Sequence, residues 1–563
     1  MNAARLSRRR LPLLLLTLAV AGHTALAQTT AQPKPPDDPM LRAMQDELQR
    51  ERDQLLLPGM QRPYFIEYRL DDLTTYEAVA NYGALTLEQE NHQRAVHVVV
   101  RVGDYTADSS SARGDGVVQL APLDTNPTAL RYALWTATDD AYKIALRSYA
   151  AKQAALKQFQ TPPQQNDFSP AKPVVAIGPT VSLVLDRAAW KQHIVDASGL
   201  FATDPQVRAF AADVQYSTAS IRAIAINHYL VNSEGTVMRN GYSVYTNSIS
   251  VGGQAADGMR LGRDNGSTAV TADKLESWPA YRQRVLDDLK SLQDLRNAPV
   301  VSAEDYHGPV LLSGDAAADV FTALLVPNVV ANRPDMGTTA RTQGAYSSSL
   351  HARVLPEFLN VTDQPALTSF HDQQILGAYT VDDEGVPAQP VTIVQAGKLE
   401  GFLIDREPIR DFPASNGHGR AAAAQAARSR AGVVVVQSTA PLTAAQMQQK
   451  LLDLAKEQNR DVYLVETLGG DLEPRLLYLL HPDGTRQLLR GAAFDELDTR
   501  SLRSGIIAAG DDATSYVDNL AGPVPQTTIA PSILFDDITI KRASEEQQKL
   551  PYYTPPAATT SHP

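Results

Sequence analysis

Two spacings of apolar residues recur along this chain, one helical and one extended, and together they divide it into elements. Leu41, Met44, Leu48 and Leu55 stand at i, i+3, i+7 and i+14 in a charged background, which predicts one amphipathic helix ending near Pro58-Gly59. From Tyr64 to about Pro299 the two patterns alternate. Val96, Val98 and Val100 alternate with His97, Val99 and Arg101, and the β-branched runs Val174–Ile177 and Val181–Leu185 are bounded by Gly and Pro, so all three read as strands. Asn126-Pro127 opens a helix, a capping residue ahead of a proline in the first turn, that carries Tyr142, Leu146 and Tyr149 and stops before Pro162-Pro163. Asp204-Pro205 opens another by the same logic, and a third runs from about Thr271 to Arg296 with Val285, Leu289 and Leu292 on one face. Between them, Ile221–Val231 and Gly241–Val251 read as strands flanking Asn232-Ser233-Glu234-Gly235 and Arg239-Asn240-Gly241.

After Pro299 the pattern becomes mostly extended. Val391–Val394 and Leu399–Ile404 predict a hairpin around Ala396-Gly397, Val433–Val436 and Val462–Val465 are continuous apolar runs, and Leu476–Leu480 and Gln487–Leu489 flank Pro482-Asp483-Gly484. One helix interrupts them, from about Thr443 to Lys456. The fold class that follows is α+β in two domains, a mixed N-terminal domain over residues 64–299 and a sheet-rich C-terminal domain over 300–542. Pro33, Pro35, Pro36 and Pro39 make the start of segment 28–63 an extended linker ahead of its short helix, and residues 543–563 are a polar, Pro-rich tail.

Ahead of the linker, Arg5, Arg8, Arg9 and Arg10 precede an apolar run from Leu11 to Ala21 and then Ala25-Leu26-Ala27. That order of charge, apolar core and small residues is a secretory signal, expected to be cleaved before Gln28 and to make the protein exported, periplasmic or extracellular; a retained membrane anchor is the alternative. Loss of residues 1–27 removes four arginines and no acid, taking the formal charge from −12 to −16. Such a balance excludes nucleic acid as a partner, because backbone phosphates need Lys and Arg to displace their counterions. No later stretch is long and apolar enough to span a bilayer. The chain has no cysteine, so thiolate nucleophiles, thiolate metal ligands and disulfides are all excluded.

General catalytic motifs are missing as well. None of the 11 histidines is followed by Glu, which removes the His-Glu-x-x-His helix, and there is no Gly-x-Ser-x-Gly, Walker A or Gly-x-Gly-x-x-Gly sequence. Ser169-Pro170-Ala171-Lys172 matches Ser-x-x-Lys but lies in a Pro-rich loop. Two features have a chemical reading beside a plain one. Asp382-Asp383-Glu384 is a run of three carboxylates, a solvated turn in the plain reading; held in contact, like charges raise at least one pKa and supply a general acid. Ser415-Asn416-Gly417-His418-Gly419-Arg420, after Asp405-Arg406-Glu407, is either a connector or a donor-rich loop for a peptide carboxylate.

The string Gly377-Ala378-Tyr379-Thr380-Val381-Asp382-Asp383-Glu384-Gly385-Val386-Pro387-Ala388-Gln389 resembles the central signature of the TldD/PmbA family. Tyr229-Leu230-Val231-Asn232-Ser233-Glu234-Gly235, Gly308-Pro309-Val310-Leu311-Leu312 and Ala530-Pro531-Ser532-Ile533-Leu534-Phe535 resemble further segments of it, in order, over roughly residues 60–540. The resemblance implies dimers enclosing a peptide-degrading chamber, with zinc held by His-Glu-x-x-x-His on the helix after Gly-Pro-Val and a cysteine near the C-terminus. Here the six matching residues are Gly314-Asp315-Ala316-Ala317-Ala318-Asp319. Gly314 and Asp319 replace the histidines and Asp315 the glutamate, so no metal and no cofactor are expected, and Asp315 reads as a helix cap.

The resulting expectation is a metal-free subunit or peptide-binding protein, a homodimer or a heterodimer with a family member. Peptide-binding candidates are Asp383, Glu384, Asn416, His418 and Arg420. The two segments that carry them are expected to face one cleft, with Arg420 or His418 on the anionic end of a peptide. The alternatives are an active peptidase with ligands drawn from His307, His351, His371 and His418, or a structural envelope protein without a ligand.

Overall fold

The computed structural model describes residues 38–110, 116–158, 165–334, 338, 340–371, 373–518, 524–544, 548–551, 553 and 556. The signal segment and most of the linker lie outside the described residues. From Asp38 onward the chain packs as one unit.

Helix α1 (Pro39–Gln54) starts at Asp38, whose carboxylate accepts from the Met40 and Leu41 amides, and it buries Leu41, Met44 and Leu48. Behind it come two 19-residue strands, β1 (Pro63–Asn81) and β2 (Ala84–Val102), paired along their length. The rest of this half is β3 (Val117–Leu120), α2 (Pro127–Leu156), β4 (Val175–Ile177), α3 (Arg187–Thr203), β5 (Tyr216–Asn232), β6 (Val237–Gln254), β7 (Arg260–Ala269) and α4 (Trp278–Asn297). The sheet order is β3-β2-β1-β5-β6-β4, with β7 on β6. Helices α1 and α2 cover one end of a face through Tyr68, Leu70, Val96, Val98 and Tyr142, and α3 and α4 cover the other end through Trp190, Ile194, Tyr281 and Leu289.

Three sequence expectations are corrected here. Val181–Leu185 is not a strand. Its backbone is satisfied by side chains instead, Val181 N–H donating to Asn227 Oδ1 at 2.8 Å and Val184 N–H to the Tyr245 hydroxyl at 2.9 Å. Asp204-Pro205 does not open a helix; it closes α3, with Asp204 N–H donating to Leu200 O, and only a short 3₁₀ turn, Arg208–Asp213, follows. The cap-and-proline signal is local, and the apolar face of α3 outweighs it. The third helix begins at Trp278 rather than Thr271, after a 3₁₀ turn at Ala272–Lys274.

The C-terminal half holds two larger sheets. One is ordered Lys398–Leu399, Val391–Gln395, Leu359–Asp363, Val433–Ser438, Gln526–Ala530, Thr514–Asp518. The other runs Arg486–Leu489, Pro474–Leu480, Val462–Leu468, Tyr306–Leu312, Ile533–Arg542, Ala492–Asp495, with Ile506–Ala509 also on Ile533–Arg542. The architecture is thus α+β, with a sheet-rich C-terminal domain. Helix α5 (Asp315–Leu324) contributes Ala316, Ala317, Val320 and Phe321 to the core shared by both sheets. Helix α6 (Ala444–Gln458) is closed at its start by a capping box between Thr443 and Gln446. No helix among the described residues is long and apolar enough to cross a membrane.

Phe321 is fully buried at the centre of that core. Phe321→Ala is expected to cost about 3–5 kcal/mol, read as a lower urea midpoint at unchanged slope; a loss below about 1 kcal/mol would place α5 outside the cooperative core.

Candidate functional site

The run Asp382-Asp383-Glu384 is a buried turn, not a solvated one, with its three members 0 %, 1 % and 8 % exposed. Asp382 N–H donates to Val386 O, and Gly385 takes φ +79° to close the turn. Each carboxylate is then met differently. Asp382 Oδ1 accepts from the Glu384 and Val386 amides at 3.0 and 2.8 Å, and its Oδ2 accepts from Gly419 N–H at 2.9 Å. Asp383 Oδ2 accepts from Arg420 Nε at 3.0 Å and Ala421 N–H at 2.8 Å. Glu384 Oε2 accepts from Arg406 N–H at 2.7 Å.

The loop Ser415–Arg420 therefore lies against the acidic turn, and its polar groups are turned inward instead of facing a cleft. Arg420 lies over the Tyr379 ring, 3.9 Å from its centroid, and the Tyr379 hydroxyl donates to Gly417 O at 2.8 Å. Asn416 braces the neighbouring chain, accepting from Ile404 N–H and donating to Phe402 O, both at 2.8 Å. His418 is fully buried, with Nδ1 2.9 Å from Asn416 Oδ1 and Nε2 3.3 Å from Asp363 Oδ1. The glycines that promised close approach of a ligand serve the protein itself: a Cβ on Gly417 would stand 2.4 Å from Pro387 O, and one on Gly419 2.1 Å from Glu384 Oε2.

The opposite wall comes from the N-terminal sheet. Glu67, Arg69 and Asp71 point from β1 away from the α1–α2 core. Asp71 pairs with His228 on β5 at 2.6 Å and with Arg69 at 3.4 Å, and accepts from Ala424 N–H at 2.6 Å. Arg69 also donates to Gln425 O. Arg406, fully buried, donates to Ser169 O at 2.9 and 2.7 Å and to Glu234 Oε1 at 2.7 Å, and lies 4.0 Å from the Phe168 ring centroid. Sequence reasoning missed Glu67, Arg69, Asp71, His228, Asp363 and Arg406. The available signal was the alternation Ile66-Glu67-Tyr68-Arg69-Leu70-Asp71, which places three charges on one strand face.

Burial, the largest influence, pushes the pKa of Asp382 up to about 7 and that of Glu384 up to about 8; repulsion from Asp383 adds to it at Asp382, and repulsion from Asp382 adds to it at Glu384. Asp405 is also driven well up, by burial and then by Glu384 and Glu407. At Asp383 burial is overcome, chiefly by Arg420 and then His228, and the pKa falls below its ordinary value.

The degenerate zinc-motif positions lie elsewhere, on α5. Gly314 precedes the helix at φ +56°, and its carbonyl accepts from the Thr514 hydroxyl at 3.1 Å. Asp315 is the first helical residue and makes no cap hydrogen bond, which corrects its reading as a cap. Asp319 follows one turn later, half-buried. Among the described residues no three His, Asp or Glu side chains come together as a metal-binding group. His307 contacts Thr539 at 2.9 Å, His351 contacts Glu400 at 2.8 Å, His371 stacks on Phe370 and His418 is held by Asp363, so the four do not converge.

Residues 305–542 match the model of the PmbA/TldA metallopeptidase C-terminal domain. These residues form a C-terminal domain of the TldD/PmbA family. Its fold is similar to that of TldE from Thermococcus kodakarensis, with 14% identity, a TM-score of 0.59 and coverage of 88% of this chain and 99% of that one. It is also similar to a protein described as a modulator of a DNA gyrase from Thermotoga maritima MSB8, at 13% identity, TM-score 0.58 and coverage of 89% and 99%. A third such structure, a modulator of DNA gyrase from Bacteroides thetaiotaomicron VPI-5482, gives 12%, 0.54, and 88% and 98%. At these identities the likeness is one of fold. The sequence matches no curated protein.

Two predictions follow from the buried pairs. Arg420→Ala strands Asp383 without its cation and is expected to cost about 3–5 kcal/mol of folding stability in urea titration, whereas a side chain reserved for ligand would leave stability unchanged. Asp382, Glu384 and Asp405 hold protons in the folded state that ordinary carboxyls release near pH 4. The contribution of Asp382 and Glu384 is complete below about pH 4 and is lost as pH rises through about 7 to 8, and that of Asp405 is likewise lost as pH rises. Asp71 and Asp383, both lowered, act with the opposite sign and only in acid. The melting temperature should fall between pH 5 and pH 9, and Glu384→Gln should flatten that fall; parallel profiles by calorimetry would exclude Glu384 as a proton holder.

Proposed function

We propose that this protein is an exported, peptide-binding member of the TldD/PmbA family that works without a bound metal, as a homodimer or as the partner of another family subunit. The observation that carries the reading is the residue set at the start of α5. Gly314, Asp315 and Asp319 occupy the positions at which the family resemblance implies histidine, glutamate and histidine, and the chain has no cysteine. Two carboxylates one turn apart suit a hard cation weakly and zinc poorly, because zinc sites are built from nitrogen and sulfur donors. The signal-like N-terminal segment supports export. Peptide as the ligand class rests on family membership.

The test joins composition to binding. Purified protein is expected to retain no stoichiometric zinc through dialysis, to bind short peptides in calorimetry unaffected by chelator, and to run at the native mass of a dimer. One zinc per chain by elemental analysis, with peptide hydrolysis abolished by chelator, would establish the active peptidase instead.

A further inference from the structure

A small cavity of about 30 Å³ lies between the β1–β2 face and the acidic turn, and its charged lining is Glu67, Glu384 and Glu407 together with Arg69, Arg101 and Arg428, with His97 beside them. Glu67 is 7 % exposed, faces this space, and its carboxylate accepts no hydrogen bond from any described residue. A buried carboxylate is ordinarily paired. The arginines around it already have carboxylates of their own: Arg101 holds Asp108 at 2.8 Å and Glu407 at 3.7 Å, Arg69 pairs with Asp71 at 3.4 Å, and Arg406 holds Glu234 at 2.7 Å. Glu67 is the one carboxyl of this lining with neither an ion pair nor a hydrogen bond, and burial raises its pKa against the pull of Arg406, Arg69 and Arg101. Glu384 presents its remaining oxygen nearby, and Glu407, with its side chain a quarter exposed, stands on the solvent side.

The size and donor pattern of this space define what fits. A volume of about 30 Å³ holds one water-sized group and no whole side chain. A group with three donors, no acceptor and a positive charge complements three carboxyls, and that is a primary ammonium. A carboxylate would meet Glu67 as a like charge, and a quaternary ammonium has no donor and is too bulky.

We propose that this cavity is an ammonium subsite, in which the free amino terminus of a short peptide donates to Glu67, Glu384 and Glu407. The assignment rests on the peptide-binding reading above and deepens it: the protein recognises the amino end of its ligand, and the site lies between the two halves of the chain instead of on Arg420 or His418.

The experiment uses the purified full chain and three probes: trialanine amide, its N-acetylated counterpart, and methylammonium chloride set against tetramethylammonium chloride at equal ionic strength. The free-amine peptide is expected to bind at least tenfold more tightly than the acetylated one, methylammonium alone is expected to raise the melting temperature, and Glu67→Gln is expected to erase both differences. Equal binding of the two peptides by the wild type overturns the subsite and leaves peptide binding intact. A methylammonium response without binding of either peptide keeps the subsite and overturns peptide as the ligand class, and no response to any probe overturns both. Should Glu67→Gln fail to fold, Glu407→Gln at the exposed side takes its place: an unchanged preference for the free amine in that variant removes Glu407 from the site, and the wild-type comparison alone then decides the rest.

Discussion

Three consecutive carboxylates removed from water at Asp382-Asp383-Glu384 are the constraint on which the middle of this molecule is built. An isolated buried carboxylate is untenable, so each of the three must be answered by a donor, a cation or a proton. Asp382 takes three backbone amides, Asp383 takes a guanidinium, and Glu384 takes one amide and holds a proton with its neighbours. Those answers fix the backbone at Arg406 and from Gly419 to Ala421. They also require glycine at 419, where any side chain would collide with the Glu384 carboxylate.

The same network joins the two halves of the chain. Ala424 and Gln425, just past the braced loop, reach Asp71 and Arg69 on β1, and Arg406 reaches Glu234 in the β5–β6 turn and the Ser169 carbonyl. A polar junction of this kind is not a strong source of net stability, since the desolvation of buried ions offsets much of their attraction. It is a strong source of register, because removing one partner leaves another charge buried alone. The loop that sequence pattern offered as a ligand contact is better understood as this register device, and the group it leaves without a partner, Glu67, is on the opposing strand.

How much of this was legible in the sequence depended on whether the deciding interaction was local. Asn126-Pro127 capped α2 and Thr443 capped α6 as their sequences suggest, because a cap and an amphipathic face are decided within a few residues. The β5–β6 hairpin around Asn232–Gly235 was equally readable. Val181–Leu185 was not, since its β-branched run is satisfied by Asn227 and Tyr245 from strands some 50 residues away. The strand β1 shows the same limit. Glu67, Arg69 and Asp71 alternate with apolar residues in a way that ordinarily marks a solvent face, and only the chain from Glu384 to Arg428, folded over it, makes that face interior. For the acidic turn, like-charge contact was foreseeable and burial was not.

Helix α5 separates the positions that hold the fold from those at which the resemblance implies metal ligands. Its place in the fold is secured by Ala316, Ala317, Val320 and Phe321, all fully buried, and by the Thr322 hydroxyl, which donates to Ala318 O and contacts Thr528 at 2.7 Å. None of these is a position at which the resemblance implies a metal ligand. Gly314, Asp315 and Asp319 lie outside that buried set, so the residue types at these three positions do not decide how the helix packs. The converse holds at the acidic turn, where the signature residues are themselves the packing and cannot be exchanged one at a time. The packing around α5 thus rests on residues other than Gly314, Asp315 and Asp319, whereas the junction of the halves rests on the acidic turn itself, beside a small space where one carboxylate, Glu67, is left to satisfy.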